Sequence, residues 1–216
     1  MHETNFRILV GGVLAWACYT WLRTEDRVNW FLDAGWVVVG IPLLIATRKS
    51  FPLTPILYLL LAIHASVLIS GGYWTYELNP VGLWFKNVLG TERNHFDRFG
   101  HFLQGFVPAI LFRELYWRIS PIRRPGWLNY FSIVSCIAFS AVFELLEWIA
   151  TVIAGESGDA FLGHQGDIWD AQWDITWAII GSVLAILALS TLHQKQLLRL
   201  VPEMQDVSSS GTTEKG

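Results

Sequence analysis

Six stretches of this chain are apolar over about the length that an α-helix needs to cross a bilayer, and no other feature limits its folding as strongly. A span takes about 20 mostly apolar residues, within a range of about 17 to 25. Residues 6–22, 29–47, 53–70, 98–116, 128–154 and 172–192 meet that measure, the fourth least well because polar residues fill its first two turns. The third opens with Pro55 in its first turn, where a missing amide hydrogen costs little. The predicted fold is all-α: a polytopic membrane helix bundle of about six transmembrane helices.

Composition agrees. Only 15% of residues are charged, against roughly 25% in soluble domains. Twelve Trp and thirteen Phe suit lipid contact and interfacial belts, and Trp148, Trp169, Trp173 and Trp177 are assigned to such a belt with no chemistry. A net charge of −3 excludes nucleic acid as a partner. Cys18 and Cys136 both lie in apolar runs and read as small buried hydrophobes, not as a disulfide or metal pair. The N-terminal run ends in Tyr19 and Trp21 with no small-residue cleavage site, so it is expected to stay as the first span.

Orientation follows from Lys and Arg, which concentrate in cytoplasmic loops. With the N-terminus inside, ten basic residues fall in inner segments and four in outer loops, and Arg98 sits at a boundary. Both termini are therefore expected in the cytoplasm. Residues 1–200 form one transmembrane domain, and 201–216 a disordered polar cytoplasmic tail.

Against this background the polar residues stand out. Asp97, Arg98, His101 and Gln104 open the fourth span on its outer side, and Asp97, His101 and Gln104 have the i, i+4, i+7 spacing of one helical face. Glu144 and Glu147 share a face of the fifth span, roughly 15 and 10 Å below its outer exit at 1.5 Å per residue. The next loop, residues 155–171, carries Glu156, Asp159, His164, Gln165 and Asp167 with no Lys or Arg, and Asp167, Asp170 and Asp174 share a face if the sixth helix starts near Gly166. His64 lies in the outward half of the third span.

A carboxylate near the bilayer centre costs about 2.5 to 3.5 kcal/mol even on the generous insertion scale. Glu144 and Glu147 are therefore expected to face the bundle interior, with Arg98 and His101 as the best partners. Asp97 taken alone is equally a helix cap, and the later aspartates equally a solvated acidic loop. As a group, many carboxylates with one or two imidazoles and no thiolate suit a divalent cation such as Mg²⁺, Mn²⁺, Ca²⁺ or Zn²⁺. The candidate ligands are His101, Glu144, Glu147, Asp167 and Asp170. No HExxH, paired CxxC or glycine-rich phosphate loop is present, and no serine sits in a nucleophile setting.

The segments DRFGHFLQGFVPAILFRE (97–114), FELLEW (143–148) and LGHQGDIWDAQWD (162–174), in that order, resemble the YjdF family of bacterial inner-membrane proteins. That resemblance covers nearly the whole chain and implies a multi-pass protein of the bacterial inner membrane, with no activity attached. The chain is also similar, more loosely, to VanZ-like membrane proteins. Asp97, His101 and Phe102 match their helix opening and Glu144 or Glu147 a later acid, while HQGDIWDAQWD replaces their Arg-Ser loop.

The expected function is a membrane enzyme acting on a lipid-linked or envelope substrate with help from a divalent metal. In that reading Glu144, Glu147, Asp167 and Asp170 supply carboxylates, His101 a ligand or proton shuttle, and Arg98 an anion contact. The same groups also fit a proton-coupled transporter, which the apparent shortage of ionisable groups in the inner halves of the spans disfavours, or a non-catalytic envelope scaffold.

Overall fold

A computed structural model describes residues 1–154 and 165–202. Its described residues form seven helices: α1 (Glu3–Arg23), α2 (Arg27–Thr47), α3 (Pro55–Trp74), α4 (Pro80–Leu89), α5 (Phe96–Ile119), α6 (Pro125–Ala154) and α7 (Asp170–Leu200). Each of the six expected spans overlaps one long helix. Four of these, α2, α3, α6 and α7, are long and apolar enough to cross a membrane, whereas α1 and α5 are too polar for that measure. The proposed tail from residue 203 and the loop positions Glu156, Asp159 and His164 lie outside the described residues.

α4 is the element that hydropathy does not announce. The Asn79 side chain accepts from the Val81 amide at 3.0 Å to cap it, Pro80 supplies a preset φ, and Gly90 ends it with φ +64°. Ten residues are too few to span a bilayer. Apolar side chains such as Trp84 and Val88 are exposed along it, as on a helix lying in an interface.

α5 is the central helix, packed between α6, α7 and α3. It crosses α7 at backbone contact: a Cβ on Gly105 would sit 1.9 Å from the Ala178 carbonyl oxygen, and one on Gly181 would sit 2.0 Å from that of Phe102. Small residues do this in membranes, where van der Waals packing replaces the hydrophobic drive. Leu57, Val107, Ile110, Cys136 and Ala185 close the core where α3, α5, α6 and α7 meet, and a second cluster around Trp30, Ala34, Val37 and Ile69 joins α2 to α3. Outward-facing Val39 and Leu43 on α2, with Val142, Leu145 and Ile149 on α6, are exposed apolar surface of the kind lipid covers. Cys136 is buried as expected, but Cys18 faces outward on α1.

Candidate functional site

The N-terminal turns of α5 and α7, the last third of α6, the start of α2 and the end of α3 meet at one end of the bundle. On α5, Asp97 and His101 face each other one turn apart, His101 Nε2 lying 3.6 Å from Asp97 Oδ1. His101 Nδ1 lies 2.9 Å from Gln104 Oε1 and 3.5 Å from Glu144 Oε1. Gln104 Oε1 accepts from Nδ1, while Nε2 faces the Asp97 carboxylate. Asp174 of α7 completes a group in which Asp97, His101 and Asp174, all buried, each offer a ligand atom, with these atoms within 4.8 Å of one another. Asp174 Oδ1 is buried without a hydrogen-bond partner, and so is Glu144 Oε1.

The arginines go elsewhere than expected. Arg98 pairs with Asp167 at 2.9 Å and stacks over Trp173, with 5.3 Å to the ring centroid, instead of meeting Glu144 or Glu147. The reason lies in where α7 begins. The helix starts at Asp170 and not near Gly166, with Gly166 at φ +80° and the Asp167 side chain accepting from the Trp169 amide at 3.0 Å in a turn. Asp167 is thereby swung out of the α7 face and toward Arg98, while Asp170 and Asp174 remain on the helix.

Arg93, counted from sequence only as a loop charge, bridges Asp97 at 3.3 Å and Asp170, with Asp167 at 4.0 Å. Beside it Asn94 and Gln165 exchange two bonds of 2.9 Å, Asn94 N to Gln165 Oε1 and Gln165 Nε2 to the Asn94 carbonyl. The Asn94 side chain donates to the Glu77 and Asn79 carbonyls and accepts from the Phe96 amide, tying the start of α5 to α4. The sequence signal for Arg93 was its position four residues before Asp97. His95, at the α5 cap, has its pKa held below the ordinary histidine value by burial and then by Arg98 and Arg93.

A further carboxylate was missed. Asp33 of α2 is buried, with Oδ2 unpartnered. Its Cβ packs against Gly72, where a side chain on α3 would come within 3.2 Å of it. Glu147 is partly buried and forms no ion pair among the described residues; the charges acting on it are those of Glu144, Asp97, Asp33 and Asp174. The energetic reasoning that singled out Glu144 and Glu147 applies equally to an aspartate inside the second apolar run. Tyr76, between α3 and α4, lies over Gly71 and Gly100: a Cβ on Gly71 would collide with its ring at 2.6 Å, and one on Gly100 would press on it at 3.2 Å. Burial, then Asp33 and Asp97, push its phenol well above the usual value, so it remains a hydroxyl donor.

The opposite end of the bundle corrects another expectation. It holds Arg113, Glu114 and His193, all buried, and so is not short of ionisable groups. Arg113 and Glu114 lie within the span drawn over 98–116 and His193 one residue past the span ending at 192, and helix packing buries all three.

These observations define the class: an integral membrane protein built as a helical bundle, with a buried cluster of carboxylates and an imidazole at one end. The chain belongs to the DUF2238 family, described as predicted membrane proteins, whose model matches residues 5–195. It is 39% identical over 181 residues, 84% of this chain and 87% of the relative, to the inner membrane protein YjdF of Escherichia coli (strain K12). Its location is the bacterial inner membrane, as for that relative. No solved structure matches.

Proposed function

We propose that the chain is a divalent-cation-dependent membrane enzyme acting on a lipid-linked or envelope substrate at the outer face of the membrane. In this reading α1, α2, α3, α5, α6 and α7 are the six spans, both termini are cytoplasmic, and α4 lies on the outer surface. One observation carries it: Asp97, His101 and Asp174 converge from two helices within 4.8 Å, with Asp174 Oδ1 left unpartnered. A buried polar atom without a partner costs about 1–3 kcal/mol, and a cation offsets that cost while drawing the two acids together.

The span of the group bears on the ion. Two ligands at about 2.3–2.6 Å, the Ca²⁺ range, reach across about 5.2 Å at most, so Ca²⁺ matches 4.8 Å by distance, but it takes oxygen ligands and the imidazole favours Zn²⁺. At about 2.0–2.2 Å, as for Zn²⁺, the widest pair moves together by a few tenths of an ångström. His101 Nε2 would be the ligand nitrogen, because Nδ1 is engaged by Gln104, an arrangement that orients metal-bound imidazoles. Glu144 and Glu147 then serve in proton transfer, Arg98 meets an anionic group of the substrate, and Asp167 and Asp170 hold the two arginines.

The test is elemental analysis of the detergent-purified protein. About one divalent cation per chain is expected in the wild type, lost in both His101→Ala and Asp174→Asn. Equal content in all three proteins rejects this function.

The buried inner groups support a second reading, a proton-coupled carrier, because polar residues now occupy both ends of α5. Against it, the Glu114 carboxylate is fully hydrogen-bonded and so poorly placed to change partners. Proton flux into proteoliposomes under a pH gradient favours the carrier, and its absence the enzyme.

A further inference from the structure

The site has a second compartment that its chemistry does not use. A cavity of about 240 Å³ lies between α2, α3, α5 and α6. His64, Tyr76, His101 and Gln104 are its polar lining, and helix register puts His101 and Gln104 toward the outer end. Toward the inner end its walls are hydrocarbon: Ile41 and Leu44 of α2, Leu61 of α3 and Leu111 of α5. From Gly100 to Leu111 the lining follows α5 for about 16 Å at 1.5 Å per residue. It is a slot with one polar end.

Its side toward the membrane is crossed by one aromatic pair, Trp36 of α2 against Phe139 of α6, with ring centroids 6.0 Å apart at 72°. Trp36 is half exposed, and the flanking residues Val39 and Val142 are outward-facing apolar side chains. An opening here faces acyl chains and not water. Apolar cavities of this kind stay dry and take up apolar guests. At the polar end His64 Nε2 is buried without a hydrogen-bond partner, and Pro108, lacking an amide hydrogen, leaves the Gln104 carbonyl without its helical donor. The slot thus presents hydrocarbon along its length and unpaired polar atoms at its head.

We infer that this slot takes a single hydrocarbon chain of a membrane-resident amphiphile, entering sideways between α2 and α6, and brings the amphiphile's polar head to His64, His101 and Gln104. The inference names the substrate class for the enzyme proposed above and rests on that reading for what happens to the head.

Gly40 provides the test. It lines the slot on α2, and a Cβ there would meet nothing within 4 Å. Gly40→Phe therefore adds a ring to the slot lining from an unobstructed Cβ, while Gly12→Phe, on the exposed face of α1, adds the same side chain elsewhere. The protein is reconstituted in phosphatidylethanolamine and phosphatidylglycerol vesicles containing a phospholipid with a diazirine partway along one acyl chain. It is then irradiated and mapped by mass spectrometry. Adducts are expected on Leu44, Leu61 or Leu111. Gly40→Phe lowers them by about tenfold, the effect of excluding roughly two buried methylenes, with cation content unchanged, and Gly12→Phe leaves them as they are. Adducts confined to the outward-facing Leu43 and Leu145, or slot adducts that Gly40→Phe does not reduce, overturn the inference. A labelled slot in a protein that binds no cation overturns the enzyme reading and leaves the chain slot standing.

Discussion

His193 donates through Nε2 to Glu114 Oε2 at 3.1 Å, with both side chains fully buried at the end of the bundle away from Asp97 and His101. His193 Nδ1 accepts from Arg113 at 2.9 Å, which makes the imidazole neutral with its proton on Nε2. Glu114 also accepts from the Thr54 amide and hydroxyl and from Arg118. At the opposite end of the same helix, Asp97 and His101 face an acid, Asp174, that has an oxygen to spare. One polar cluster is complete and the other is not, and that contrast separates a packing role from a chemical one.

Breaking the complete cluster is expected to destabilise the fold. Glu114→Ala strands Arg118 and the Thr54 donors in a buried setting, and removing one partner of a buried pair costs about 3–5 kcal/mol. Thermal unfolding in detergent reads the loss, and cation content per folded chain stays at the wild-type value. A Glu114→Ala protein as stable as the wild type contradicts a structural role.

Asp174→Asn is expected to act in the opposite direction. It replaces a buried acid, one oxygen of which the protein leaves without a partner, by a group that cannot ionise, so in chelator its stability equals or exceeds that of the wild type, by about 0.5–2 kcal/mol. Added cation raises the melting temperature of the wild type and not of the variant. Stabilisation of both by the same ion places the ion elsewhere.

Arg93 is the clamp between the starts of α5 and α7. Arg93→Ala leaves Asp97 and Asp170 buried as like charges, and the expected cost is about 3–5 kcal/mol. Neutralising one of them should recover part of it, so the Arg93→Ala/Asp170→Asn double variant melts above Arg93→Ala. Additive losses in a double-mutant cycle rule out the bridge.

His95 gives a pH dependence with a definite sign. Its folded pKa lies below the ordinary value of 6.5, so the unfolded chain takes up the proton first and stability is lost as pH falls below about 6.5. Above that value both states are neutral and there is no contribution. His95→Gln is expected to shallow the fall in melting temperature between about pH 6.5 and 5, and a fall that becomes steeper in the variant contradicts the sign.

Topology is open to direct mapping. With Cys18 and Cys136 replaced by alanine, single cysteines at Ser50 and Ser120 should react with an impermeant maleimide only after the membrane is opened, and one at Thr91 should react in intact spheroplasts. Reaction of Ser120→Cys from outside removes α5 as a span and with it the six-span arrangement.

Much of this was legible in one dimension. The long helices follow from runs of apolar residues, and the joint orientation of Asp97, His101 and Gln104, or of Glu144 and Glu147, follows from helical spacing. α4 was hidden because ten amphipathic residues give no span-length signal, although Asn79, Pro80 and Gly90 marked its ends. Asp33 could have been read by the same desolvation argument that singled out Glu144 and Glu147. The second cluster was missed because Arg113 and Glu114, inside the span drawn over 98–116, and His193, just past 192, lie near helix ends, where charge reads as solvated until a neighbour covers it.

What spacing cannot say is which face of one helix meets which face of another. That is decided by the backbone crossing of α5 and α7 at Gly105 and Gly181, which sets Asp174 against Asp97 and His101. It is decided again by the turn at Asp167, which hands that acid to Arg98. The apolar pattern by itself determined that the chain enters the membrane as helices, because hydrocarbon burial depends only on composition along each segment. The partners of its buried charges were settled only by tertiary packing, because pairing depends on distances of a few ångströms between residues far apart in the chain.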